Sequence, residues 1–253
     1  MKNLTLILTF MFFLVFPVTS HSIGLEFAVG GWNCNPSGDM SYEQTSPDDN
    51  LDLEKDLNYD DETDLTGRVK IDMPLLFPNI YLMATPMEYD ETGQKDIEFN
   101  FGDETFQANV DFDSKLTLNT YDVGLYYGIP LLGTATLNKL NIDLGINLRI
   151  IDLDAEIEQD GSRESESMIL PVPMGYVGVQ IKPVKRLAIE AEARGIAYSG
   201  NHYYSIIGRV KYKIFGPLFG AGGYRYEKLK IDEKDVEAEV KFQGPFIEVG
   251  MNF

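Results

Sequence analysis

Apolar and polar residues alternate along most of this chain with a period of two, the spacing that puts every second side chain of a β-strand on one face. The clearest run sets Leu140, Ile142, Leu144, Ile146, Leu148 and Ile150 against Asn141, Asp143, Gly145, Asn147 and Arg149. Carried through the sequence, the pattern predicts ten strands, over about 23–32, 65–73, 80–89, 115–127, 140–150, 168–181, 187–194, 206–214 and 218–231, with a last one ending at Phe253. Facing is ambiguous in the third and sixth, so eight or twelve strands also fit. Short Pro/Gly connections at 74–79, 128–136, 182–185 and 215–217 alternate with longer, mostly acidic ones at 33–64, 90–110, 152–167 and 232–239. The stretch 97–110 reads as a hairpin within the second of these. A soluble β-sandwich also alternates, but it does not require this rhythm of long and short connections. An all-β, transmembrane up-and-down antiparallel barrel does, with long acidic outer loops and short periplasmic turns.

The last strand strengthens that reading. Ile247, Val249, Met251 and Phe253 share one face, and the chain stops on a large aromatic residue. Chain ends usually fray into water. In a barrel the last strand must instead pair with the first to remove both edges, while one of its faces meets lipid. The stretch resembles the C-terminal strand by which outer-membrane barrels are recognised, so these four residues are the expected signal for the barrel-assembly machinery.

The other end of the chain gives the same address. Lys2 precedes a run, 4–15, that is apolar apart from Thr5 and Thr9, and small residues around Ser20 and Ser22 follow Pro17. The run is shorter than the roughly 20 residues that a spanning helix needs. Residues 1–22 are therefore expected to be a cleaved secretory signal and 23–253 the barrel, with a cut after Ser20 as the alternative. The implied location is the outer membrane of a Gram-negative cell, reached through the periplasm.

Charge narrows the partners. The chain carries 40 acidic and 21 basic residues, a net −19, which argues against nucleic acid. The expected partners are outer-membrane lipid and lipopolysaccharide, and the clustered carboxylates suit loose binding of divalent cations beside lipid phosphates. Cys34 is the only cysteine, so no intrachain disulfide can form.

The polar faces of the strands assign eight acids to the lumen: Glu26, Asp72, Asp122, Asp143, Glu190, Glu192, Glu227 and Glu248. They also assign eight bases: Arg68, Lys70, Arg149, Arg194, Arg209, Lys211, Lys213 and Arg225. A lone charge in a confined site is costly, so a balanced set is expected to pair across strands and fill the lumen. The expected network centres on Asp143, Arg149, Glu190, Glu192, Arg194, Arg209, Lys211, Lys213, Arg225 and Glu248. Glu190, Glu192 and Arg194 should face Arg209, Lys211 and Lys213 on the next strand.

Several short motifs occur together: Gly30-Gly31-Trp32, a turn with Pro74, Pro78 and Asn79, Asp122-Val123-Gly124-Leu125-Tyr126-Tyr127, Gly222-Gly223-Tyr224-Arg225-Tyr226 and the terminal Phe253. With them the chain resembles a family of small Gram-negative outer-membrane β-barrel proteins known for a GlyGly pair and without an assigned activity. The resemblance implies fold and location and no catalytic residue.

Catalytic and metal chemistry have little support in the sequence. After signal removal His202 is the one histidine, with Ser199 and Ser205 nearby but no acid in the short connection to orient its ring. A barrel hydrolase or lipid A-modifying enzyme is thus the weaker alternative. Asp48, Asn50 and Asp52 begin like a calcium loop, but Leu53 replaces the required glycine and Tyr59 the bidentate glutamate. No cofactor is expected. The function expected is that of a structural or narrow small-solute barrel largely closed by its own charges, with adhesion or receptor work by the long loops as the alternative.

Overall fold

The computed structural model describes residues 23–74, 77–233 and 236–253, so the expected signal segment 1–22 lies outside the described residues. Strands follow one another as β1 (Gly24–Tyr42), β2 (Leu51–Asp52), β3 (Glu62–Asp72), β4 (Asn79–Thr85), β5 (Glu88–Gln94), β6 (Phe99–Phe101) and β7 (Glu104–Phe106). After them come β8 (Asp111–Gly128), β9 (Leu140–Gln159), β10 (Ser162–Val184), β11 (Leu187–Tyr198), β12 (Asn201–Phe215), β13 (Leu218–Glu233) and β14 (Val236–Asn252). Neighbouring strands pair antiparallel, and β14 returns to β1 with Phe27 opposite Met251 and Trp32 opposite Phe246. The result is a closed barrel of ten antiparallel staves, with β4 and β5 forming one of them. Pro86 separates those two strands because it has no N–H for the ladder, yet the register against β8 is the same on both sides.

Closure is local as well as topological. The Phe253 N–H donates to the Leu25 carbonyl at 2.9 Å, and the Phe27 and Phe253 rings stack at 6.3 Å. A Cβ at Gly30 would collide with the Ile247 carbonyl oxygen, so the β1–β14 seam at that point accepts only glycine.

The strands are longer than the alternation of outward apolar residues suggested, and the reason is a change of phase. On β9 apolar residues face outward from Ile142 to Ile150, nine residues, about the length a tilted membrane-crossing strand needs. The doublet Ile150-Ile151 then swaps the faces. Beyond it Ile151, Ala155 and Ile157 are buried inside the barrel, while Asp154 and Glu158 stand exposed outside. Strand β8 does the same: Val123, Leu125 and Tyr127 point outward, whereas Phe112, Leu116 and Leu118 point in. The stretch 152–167, expected as an acidic loop, is therefore a hairpin turning tightly at Asp160-Gly161, whose positive φ values of 51° and 90° suit a two-residue connection. Likewise β1 runs on through Tyr42 into what was expected to be loop.

Two bodies result along one axis. Towards the termini an apolar belt surrounds a polar interior, with Ile146 67% and Ile247 74% exposed. Towards the far end a charged exterior surrounds an apolar interior. A soluble protein rarely shows an unbroken apolar ring of this extent, because each Å² of apolar surface left in water costs about 25 cal/mol.

A lid partly covers the far end. Leu51, Leu53 and Leu57 of the β1–β3 connection pack with Phe99, Phe101, Phe106 and Phe112, all nearly inaccessible. The Phe99 ring lies 5.2 Å from Phe106 and 5.3 Å from Phe112. Asp49 ties the two lid segments together. Its carboxylate accepts from the N–H groups of Ser46 (2.7 Å), Thr45 (2.8 Å) and Asn100 (2.7 Å). Burial alone would raise this carboxyl, but the backbone donors outweigh it and hold it below the usual carboxylate range. The lid's acids are thus partly structural, since Asp52 similarly accepts from the N–H groups of Glu54 and Lys55.

Candidate functional site

The lumen is divided by a floor of ion pairs at the level where the faces exchange. Asp122 and Arg149 stand directly opposite one another on β8 and β9. Arg149 donates from Nε and Nη2 to the two Asp122 oxygens at 2.9 and 2.7 Å, a bidentate pair. Its Nη1 reaches across the lumen to Glu227 on β13 at 2.9 Å and to the Tyr203 hydroxyl at 2.7 Å. Glu227 also accepts from Tyr203, Ser205 and Arg225. The Arg225 guanidinium lies 4.2 Å from the centre of the Trp32 ring, and Trp32 Nε1 donates to the Gly244 carbonyl at 3.2 Å. Arg149, Glu227 and Trp32 have no accessible surface. Walls from both sides of the barrel meet here.

A second tier lies nearer the termini. Arg68 holds Glu248 in a bidentate pair at 2.7 and 3.1 Å and donates to Glu26 at 2.7 Å. Lys211 bridges Glu26 (2.9 Å) and Glu190 (2.5 Å). Glu192 receives Lys70 at 2.6 Å, Arg194 at 3.1 Å and Arg209 at 3.4 Å. The Arg194 guanidinium also lies over Tyr81 (4.6 Å) and Tyr176 (5.2 Å), so part of its charge is met by ring faces.

Most of the expected network is therefore brought together: Arg149, Glu190, Glu192, Arg194, Arg209, Lys211, Arg225 and Glu248. Lys213 is not among them. It is exposed at the mouth near the termini, beside Lys185 and Arg186, at the end of β12 where the lumen gives way to solvent. Asp143 lines a polar cavity of 390 Å³ beneath the second tier and accepts from Asn141 at 2.7 Å. Of the other lumen residues, Glu26, Arg68, Lys70, Asp122 and Glu227 join the pairs, and Asp72 lines the same polar cavity. Ile247, Val249 and Phe253 of the terminal strand face outward as expected.

His202 lies beside Tyr204 with ring centres 5.1 Å apart. By strand alternation Ser205 occupies the opposite face, where its hydroxyl donates to Glu227 at 2.8 Å. The residues considered for nucleophilic chemistry thus belong to different environments. Among the described residues no group of three or more His, Cys, Asp or Glu side chains is arranged to hold a metal ion.

Above the floor the interior is apolar. Leu116, Leu118, Ile151 and Ala155 from one wall face Leu229, Val240 and Phe242 from the other. Sequence reasoning does not find this chamber, because the segments that build its walls have the acidic composition of loops. The signal was present in Ile151-Asp152-Leu153-Asp154-Ala155-Glu156-Ile157-Glu158, a strict alternation in the opposite phase.

A lipid-facing belt, a closed antiparallel ladder and an occluded polar lumen together define a β-barrel of the outer-membrane type. No family model matches the chain, and no curated protein matches its sequence. Among solved structures it is similar to Ail, the attachment invasion locus protein of Yersinia pestis, solved with the heparin analogue sucrose octasulfate, at 13% identity and a TM-score of 0.38 over 92% of this chain and 100% of that one. It is also similar to the translocator domain of the autotransporter NalP from Neisseria meningitidis, at 11% identity and 0.45 over 93% and 90%. OprG from Pseudomonas aeruginosa gives 12% identity and 0.31 over 92% and 96%. Scores this low add nothing to the fold, which rests on the closed ladder itself.

Proposed function

We propose that this chain is an outer-membrane barrel of a Gram-negative cell, with its short turns on the periplasmic side, that does not conduct. The observation carrying this reading is Arg149, held without accessible surface between Asp122 on one wall and Glu227 on the other. An open pore needs a continuous wet path, and here charged side chains that pair with one another occupy it. The barrel therefore works as a structural or surface-binding element. Adhesion through the lid and far-end hairpins is a second reading, supported by the acidic exterior of that end.

In planar bilayers the refolded protein 23–253 is expected to give no conductance steps. Replacing Asp122, Arg149 and Glu227 together by alanine is expected to produce them. Large, stable steps from the unmodified protein would sink this proposal.

The terminal strand completes it. We read Ile247, Val249, Met251 and Phe253 as the segment recognised by the barrel-assembly machinery, and lipopolysaccharide with loosely held divalent cations as the surroundings of the acidic end. Phe253→Ser is expected to lower the heat-modifiable, assembled fraction in outer membranes well below that of Asn252→Ser. Equal assembly of the two would remove the role assigned to the last residue.

A further inference from the structure

The apolar chamber has a side opening. Strand β10 pairs with β9 without interruption from Ser162, opposite Gln159, to Ile181, opposite Leu140. With β11 it pairs only from Gly175, opposite Gly195, towards the termini. Beyond that point Pro171 and Pro173 have no N–H to offer a neighbour, and β11 turns back at Ser199-Gly200 to become β12. The wall therefore drops to a notch between the free edge of β10 and the β11–β12 hairpin. A comparable gap between β3 and β5 is filled by the lid, where Gln94 N–H donates to the Asp56 carbonyl and Tyr59 accepts from Ser114 at 3.0 Å.

The notch leads into a cavity of 530 Å³ lined chiefly by Met168, Leu170, Val172, Ile196, Leu229 and Ile231. That size and composition are those of small-molecule sites, about 300–1,000 Å³ with few polar groups. The outward residues flanking the opening are Ile169, Pro171 and Pro173 on one side and Ala197 on the other, all exposed. They continue the apolar belt, and Tyr198, which lines the cavity and is 80% exposed, stands in the opening as suits a lipid–water boundary. Below, the ion-pair floor closes the way.

The occupant's charge can also be argued. Besides tyrosines, Glu166, His202 and Lys230 are the ionisable side chains of the lining, and Lys230 is already paired with Glu239 at 3.0 Å. An anionic headgroup would find no unpaired lysine or arginine in the lining, and Glu166 would repel it.

We infer that the chamber binds a small, uncharged apolar molecule, which exchanges with the surrounding lipid through the notch between β10 and β11. This rests on the membrane-spanning reading given above, but not on the absence of conductance.

The test uses 1-aminoanthracene, an uncharged fluorophore at neutral pH, added to protein 23–253 refolded in phosphatidylcholine vesicles. Saturable binding above that of protein-free vesicles is expected. Val172→Trp, which fills the chamber, and Met168→Glu, which charges its rim, are each expected to weaken it by about tenfold or more, with unchanged heat-modifiable migration. In vesicles of acyl-brominated phosphatidylcholine the bound probe is expected to be quenched. No saturable binding, as would follow if a lipid chain held the chamber, overturns the proposal, and so does equal binding by both folded variants. A bound probe that brominated lipid leaves unquenched places the opening towards water and overturns the route through the notch. Channel activity accompanied by normal probe binding would retire the sealed floor alone.

Discussion

Arg149→Met is expected to be the most destabilising single change in the lumen. Methionine keeps much of the volume but leaves Asp122 without its bidentate partner, on a side chain only 1% accessible. Breaking a buried pair by removing one member costs about 3–5 kcal/mol, because the survivor stays charged and desolvated. Glu227 would be less affected, since Arg225 still donates to it at 2.7 Å. Adding Asp122→Leu to Arg149→Met should restore part of the loss, because the uncompensated charge then disappears. Urea unfolding of vesicle-embedded protein measures both. A loss for Arg149→Met below about 1 kcal/mol, the range of exposed pairs, would mean that water screens the floor and that the barrel is open there.

Ile146→Arg should have the second largest effect, and its value lies in a comparison on the same strand. Ile146 faces outward in the middle of the apolar belt and is 67% exposed. An arginine on the lipid face near the bilayer midplane costs about 2–4 kcal/mol. Asp154 also faces outward on β9, but beyond the Ile150-Ile151 doublet. Asp154→Arg there should change stability by less than about 0.5 kcal/mol, as surface substitutions usually do. Similar costs at the two positions in vesicle unfolding experiments would mean that the doublet does not mark the edge of the membrane.

The same doublet explains how much could be read in advance. Strands were legible wherever the apolar set faces outward, because Leu144, Ile146 and Leu148 alternate with polar partners in a single phase. The lumen was legible for the same reason: a polar face on a strand in lipid has nowhere else to point, and alternation alone sets Glu190 facing Arg209, its partner in the ladder. The reading stopped at Ile151. One extra apolar residue shifts the phase, and the acids that follow at 152, 154, 156 and 158 look like loop composition once that shift is overlooked. Lys213 shows the opposite error. Alternation puts it with Arg209 and Lys211, and it keeps their register opposite Phe219, but it sits where the lumen opens to water, and the hydrophobic pattern does not mark that level. The notch was not legible either. It depends on which strand is shorter than its neighbour, and Pro171 and Pro173 become informative only once β11 is known to end at Tyr198.

The exchange of faces also sorts the molecule's charge along its axis. Acids and bases largely neutralise each other inside the belt, so most of the chain's imbalance is carried by the cylinder and lid beyond it. Two copies side by side in one membrane would therefore meet apolar to apolar at mid-height and acid to acid above. The upper contact is repulsive within about 8 Å at physiological salt. Lateral crowding is thus opposed by the acidic cylinder above the belt, and neighbouring copies are held apart there by electrostatics rather than by any part of the wall.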